Sequence, residues 1–196
     1  MTIKQKVLKA LYPVWIAATK LAGKNTRIIY NEKGNRPPES IYNLQFETGA
    51  GNKINLSQFR GQKMLFVNTA SDCGYTAQYA ELQQLHLHSG DKVIVLGFPA
   101  NDFGQQEQGT NEEIQAFCSV NFGASFPLAK KSVVIKNSEQ HSVYQWLTSK
   151  GRNGWNNKQP SWNFSKYLVN EQGILTHYFD PSVSPVKVEV LRAINS

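Results

Sequence analysis

A chain of 196 residues with 40% apolar and 11% aromatic side chains can bury the core of one ordinary domain. Its formal charge of +7 is not spread along the chain: residues 1 to 36 carry six Lys and two Arg against Glu32 alone, while residues 37 to 196 balance 13 basic with 13 acidic side chains. A neutral body argues against a nucleic-acid-binding face, and two cysteines are too few for a secreted disulfide scaffold.

In the head, Lys4, Lys6 and Lys9 precede an apolar run from Ala10 to Ala18 that Pro13 interrupts, and Lys20, Lys24 and Arg27 follow it. Such a run is too short to cross a bilayer, which takes about 20 apolar residues. Three readings stand for this segment. It is a basic amphipathic element lying on an anionic membrane surface through residues 1 to 30, or an export signal with a poor small-x-small site after Ala18, or a basic helix with no targeting role. The first and third leave the protein in the cytoplasm, with or without peripheral membrane contact; the second exports it. Residues 32 to 40, EKGNRPPES, read as a linker because Pro37 and Pro38 stop a helix. The chain therefore divides into an extension over residues 1 to 36 and a folded domain over residues 37 to 196.

The domain opens with SIYNLQFET, a turn from Gly49 to Lys53, and INLSQF, which predict a strand, a turn and a short strand. MLFVN reads as a buried strand, SDCG as a tight connection and YTAQYAELQQLHLH as an amphipathic helix. His86 and His88, two apart on that helix, face different directions, and no Cys/His cluster has metal-ligand spacing. VIVLGF (93 to 98) is the next strand, followed after a loop by a helix over residues 111 to 122 with Thr110 or Asn111 as its cap. SVVI (132 to 135) reads as a strand, HSVYQWLTS (141 to 149) as a helix, KYLVN and ILTHYF as a hairpin turned by EQG, and VKVEVLRAI as a closing helix. This order is thioredoxin-like: an α/β fold with a central mixed β-sheet flanked by helices.

The SDCG connection puts Cys73 at or just before a helix N-terminus, where free amide N–H groups and the positive end of the helix dipole favour a thiolate. A dithiol reductase of this fold carries a second cysteine three residues on, but that position is Thr76. A lone thiolate suits attack on a peroxide better.

Four blocks, VNTASDCGYTAQYAEL, LGFPANDFGQQEQGTNEEIQAFC, NFGASFPLAKK and WNFSKYLVNEQG, give the chain its resemblance to the glutathione peroxidase family, in the cysteine-containing, non-tetrameric branch. The resemblance covers roughly residues 41 to 185. It implies a catalytic set of Cys73 as the residue oxidised by peroxide, with Gln106, Trp162 and Asn163 around it. It also implies that Cys118 is a resolving cysteine, forming a disulfide with Cys73 that a thioredoxin-type dithiol, or alternatively glutathione, reduces. No prosthetic group or metal is then required, since electrons come from an external thiol. The chemistry suits the residue types: two amides and an indole N–H can hydrogen-bond a thiolate and a departing oxyanion without adding negative charge. Ala100 replaces a third cysteine of many relatives, which leaves Cys118 as the internal partner, and Asp102 and Gln108 replace the glutamine and proline usual there. Asp102 would raise the Cys73 pKa if it approached the sulfur.

The insertions that build a tetramer in larger relatives are missing, so the resemblance implies a monomer acting on hydrogen peroxide and organic hydroperoxides, lipid hydroperoxides among them, in the response to oxidative stress. Two alternatives keep the same residues: a peroxide-sensing relay that passes its oxidation to a partner protein, and a non-enzymatic membrane-surface protein on a borrowed fold.

Overall fold

The computed structural model describes residues 25 to 196, so the membrane-surface and signal readings of the head fall largely outside the described residues. Its centre is β4 (Lys63–Thr69), whose seven residues are all buried. On one side β4 pairs in parallel with β5 (Val93–Pro99), and on the other it pairs antiparallel with β6 (Lys166–Val169). The predicted EQG hairpin joins β6 to β7 (Leu175–Phe179), and β1 (Ile28–Tyr30) closes that edge, giving the order β1-β7-β6-β4-β5. A small separate hairpin, β2 (Gln45–Glu47) with β3 (Lys53–Asn55), fills the predicted strand-turn-strand region.

Alternation along β4 sends its side chains to two cores. Leu65 and Val67 face a cluster that includes Leu82 of α1 (Gln78–His88), Ile114 of α2 (Asn111–Phe122) and Val190 of α5 (Val188–Asn195). Met64 and Phe66 face the other, where Tyr144, Trp146 and Leu147 of α3 (Ser142–Leu147) pack with Phe98 and Phe46. A one-turn helix, α4 (Lys150–Asn153), follows α3. The result is the expected α/β, thioredoxin-like layering. Among the described residues, no helix is long and apolar enough to cross a membrane.

Some local expectations change. SVVI forms no strand: its backbone groups are taken up singly, Ser132 N–H by Pro99 O at 2.9 Å, Val134 N–H by the Asp102 carboxylate at 2.7 Å, and Val133 O by the His141 amide at 2.9 Å. The strand predicted from SIYNLQFET starts late, after a 3-10 turn over Ile41–Asn43. Ile28 to Tyr30, assigned to the N-terminal extension, form an edge strand paired with Phe179, Tyr178 and His177.

The proline-rich linker is docked rather than loose. Glu39 O accepts the Trp146 indole N–H at 2.7 Å, and Glu39 N–H donates to Arg152 O at 3.2 Å. Gly154, with φ of 95°, ends α4 against the backbone of Arg36, and a Cβ there would overlap the Arg36 carbonyl. Gly154→Ala thus combines a left-handed backbone with a clash against main chain, and should destabilise the protein by about 1–3 kcal/mol in urea melts. Wild-type stability in that variant would show that the linker is not seated on α4.

Candidate active site

Three segments far apart in sequence leave the sheet at the same end. Thr69 of β4 lies opposite Pro99 of β5, so residues 70 to 77 and 100 to 110 emerge side by side. The segment that enters β6 arrives there too: Lys166 pairs with Val67, and Phe164 N–H donates to Asn68 O. Each of the three carries part of the predicted set.

Cys73 sits at the head of successive turns in which the amides of Thr76, Gln78 and Tyr79 donate to the carbonyls of Cys73, Tyr75 and Thr76. The helix proper begins only at Gln78, so of the two expected placements, at or just before a helix N-terminus, Cys73 takes the second, in a turn that leads into the helix. The turn still aims a backbone donor at the sulfur, since Tyr75 N–H approaches Cys73 Sγ at 3.4 Å. Thr76 Oγ1 holds the turn by accepting from Cys73 N–H at 3.0 Å and donating to Cys73 O at 2.6 Å. Cys73 is 9% exposed, enough for a small oxidant to reach it and little enough to keep bulk water off.

Gln106 follows two left-handed residues, Gly104 (φ 63°) and Gln105 (φ 55°), a local reversal that glycine makes possible. Its carbonyl accepts Asp72 N–H at 3.0 Å, tying the loop to the cysteine turn. Its side-chain Oε1 accepts Asn163 Nδ2 at 2.9 Å. Asn163 is completely buried, and its Oδ1 has no hydrogen-bond partner among the described residues. Trp162 is clamped through its carbonyl by Asn68 Nδ2 at 3.1 Å and Ser165 Oγ at 3.0 Å. Its ring lies 5.6 Å from that of Phe103, beside Gly104. Phe164 holds a φ of 65°, an uncommon conformation for a bulky residue, and stands edge-on to Tyr79 at 5.4 Å. The fold thus brings Gln106, Trp162 and Asn163 to the loop that carries Cys73.

Cys118 lies on α2, fully buried in the hydrophobic cluster that also includes Cys73, and no disulfide joins the two. Burial pushes its thiol up to about 11, with the Glu107 charge adding to the rise and a hydrogen bond to Tyr79 opposing it. Tyr79, buried beside it, is raised well above the usual phenol range by the same burial. The Asp102 carboxylate accepts the Val134 amide at 2.7 Å.

Sequence reasoning missed Glu107, which is 1% exposed. Its Oε2 accepts Ser71 Oγ at 3.2 Å, two residues before Cys73, and its own N–H donates to Asn101 Oδ1 at 2.9 Å. Burial pushes this carboxyl from 4.5 up to about 7; the Ser71 hydroxyl and amide and the Lys131 charge oppose the rise, and Asp72 adds to it. The signal was faint: one acid in the otherwise uncharged loop FGQQEQG.

A sheet of this order, with a lone cysteine on the loop after a central strand and amide donors gathered around that loop, defines a thiol-based redox protein of thioredoxin-like fold. Residues 41–148 match the family model for glutathione peroxidase. The chain is 39% identical over 152 residues to the glutathione peroxidase homolog BsaA of Staphylococcus epidermidis, covering 77% of this chain and 95% of that one. It is 38% identical over 151 residues to the glutathione peroxidase-like peroxiredoxin 2 of Saccharomyces cerevisiae, covering 76% and 93%. The crystal structure of T. cruzi GPX1 superposes with a TM-score of 0.60 at 29% identity, over 79% of this chain and 93% of that one. The chain belongs to the glutathione peroxidase family and is a peroxidase of its cysteine-dependent kind.

The raised Glu107 pKa has a sign that can be checked. Between 4.5 and about 7 the folded protein holds a proton that the unfolded chain has released, so this contribution to stability is complete below about pH 4.5 and is lost as pH rises through about 7. Glu107→Gln cannot titrate. Relative to wild type, it should gain on the order of 2 kcal/mol between pH 4.5 and pH 8 in urea melts. A difference that does not change with pH would contradict the assignment.

Proposed function

We propose that this chain reduces hydrogen peroxide and organic hydroperoxides, lipid hydroperoxides included, through a Cys73 sulfenic acid and a Cys73–Cys118 disulfide, with a thioredoxin-type dithiol as reductant. The observation that carries the reading is the convergence of Gln106 and Asn163, joined at 2.9 Å, on the loop that holds Cys73. In the first step the Cys73 thiolate attacks one peroxide oxygen, the O–O bond breaks, and the departing alkoxide or hydroxide takes a proton to leave as alcohol or water. Amide and indole N–H donors stabilise both the starting thiolate and the leaving oxyanion. The buried Asn163 Oδ1 offers an acceptor to a peroxide hydroxyl.

In the second step Cys118 gives up its proton and attacks the Cys73 sulfur; the S–O bond breaks and the hydroxide leaves as water. A disulfide tolerates Cα separations only up to about 7 Å, and Cys118 is fully buried in a helix facing Tyr79. In this cycle an opening of the C-terminal turns of α2 frees Cys118 to reach Cys73. Support for that opening is that Ile114 and Cys118 are the fully buried residues of α2, while Phe117 and Phe122 pack against the core only partly buried. A dithiol then takes the disulfide's place: it is oxidised and both cysteines return as thiols. No bound cofactor enters this cycle, and glutathione is the alternative electron donor. Such an activity belongs to the response to oxidative stress.

Turnover of hydrogen peroxide and a lipid hydroperoxide, with thioredoxin or glutathione as reductant, tests the cycle. Cys73→Ser should abolish consumption of both peroxides. Cys118→Ser should still consume about one equivalent of peroxide, yet lose thioredoxin-driven turnover. Undiminished thioredoxin-driven turnover in Cys118→Ser would remove the resolving role.

A further inference from the structure

Two ties cross-link the cysteine turn to the glutamine loop. One is backbone, Asp72 N–H to Gln106 O at 3.0 Å. The other is a side chain, Ser71 Oγ to Glu107 Oε2 at 3.2 Å. They alternate along neighbouring residues, so Ser71 and Asp72 on one loop are stitched to Glu107 and Gln106 on the other. Glu107 is itself anchored: its amide is held by Asn101 Oδ1, and its side chain is 1% exposed. An acid of this burial with no ion pair among the described residues is costly to keep, and an uncharged side chain of the same shape would fill the space more cheaply.

We infer that Glu107 is a positioning residue of the peroxidase reaction: its buried carboxyl accepts the Ser71 hydroxyl and so holds the Cys73 turn in register with the Gln106 and Asn163 amides, most firmly when it is ionised. The inference rests on the reading of Cys73 as the residue that peroxide oxidises. The Ser71 hydroxyl meets this carboxyl at 3.2 Å. An ionised carboxylate is the stronger acceptor for it, whereas protonation weakens the bond and turns one carboxyl oxygen into a donor. The charged and titratable groups around Glu107 are Asp72 on the cysteine turn, Lys131 beyond the Gln106 loop, Tyr79 on α1 and Cys118 on α2. Lys131 favours the carboxylate; its Nζ is fixed nearby by the Gly109 and Gln108 carbonyls at 2.7 and 3.4 Å. Asp72 opposes it. Tyr79 and Cys118 are held neutral at physiological pH by burial, so neither competes for the charge. Burial pushes the carboxyl up to about 7, which makes the hold sensitive to pH near neutrality.

The test separates positioning from ionisation of the nucleophile. The rate of Cys73 oxidation by hydrogen peroxide is measured in single-turnover stopped flow without reductant, and divided at each pH by the thiolate fraction read from ultraviolet absorbance. In wild type this per-thiolate rate should fall about tenfold from pH 8 to pH 6, as a group titrating near 7 requires. In Glu107→Gln it should be flat over that range and about tenfold below wild type at pH 8. Ser71→Ala, a change at a half-buried position, removes one hydrogen bond to the carboxylate and should move the midpoint of the wild-type fall to higher pH. A wild-type per-thiolate rate that does not vary with pH, or a Glu107→Gln profile superimposable on wild type, would overturn the inference. Both variants retain Cys73, so loss of all peroxide consumption in Cys73→Ser remains a separate test of the underlying reading.

Discussion

The structure depends on the parallel pairing of β4 with β5. Seven consecutive residue pairs, from Lys63 with Val93 to Thr69 with Pro99, fix where both strands end. Parallel strands that end together release their loops together, and a crevice outside the carboxyl ends of such strands is where α/β sheets place their ligands. The cysteine turn and the glutamine loop therefore start as neighbours. Antiparallel β6 begins at the same level, which is why the Trp162–Asn163–Phe164 segment completes the group rather than lying at the opposite end of the sheet.

Holding this group in place costs stability, and the costs cluster at one end of the sheet. Phe164 keeps a left-handed backbone, Asn163 buries an acceptor with no partner among the described residues, and Glu107 buries an acid. The cores on either side of β4 offset them: Tyr79, Phe164 and Val67 share one cluster, while Phe66, Phe98 and Tyr144 share the other. Strain concentrated at a site and compensated in the core is the pattern expected where geometry is kept for chemistry.

How much of this was legible in the sequence follows from the range of each interaction. β4 and β5 are runs of apolar residues bounded by polar turns, and α2 announces itself through Thr110 and Glu113, which form a complete capping box with Oγ1 to N at 3.2 Å and N to Oε2 at 2.8 Å. These are local signals. SVVI has the composition of a strand but finds no neighbouring strand to pair with, because Asp102, Pro99 and His141 claim its backbone groups one by one. Ile28 to Tyr30 carry three residues of strand inside a basic stretch, too short to show a period, and only pairing with β7 defines them. Cys73, Gln106, Trp162 and Asn163 could be singled out because their motifs are distinctive. Glu107 was not, since nothing in FGQQEQG says that its side chain is buried under Ser71 from another loop.

The account makes Cys73 the atom that meets peroxide and Cys118 the one that does not. Its most direct test is to add one equivalent of hydrogen peroxide to the Cys118→Ser protein, trap with a carbon nucleophile selective for sulfenic acids, and locate the adduct by mass spectrometry. The account predicts near-stoichiometric labelling of Cys73, and labelling in the wild-type protein on Cys118 at no time point. An unlabelled Cys73 after peroxide has been consumed, or an adduct on Cys118 in the wild type, would contradict it.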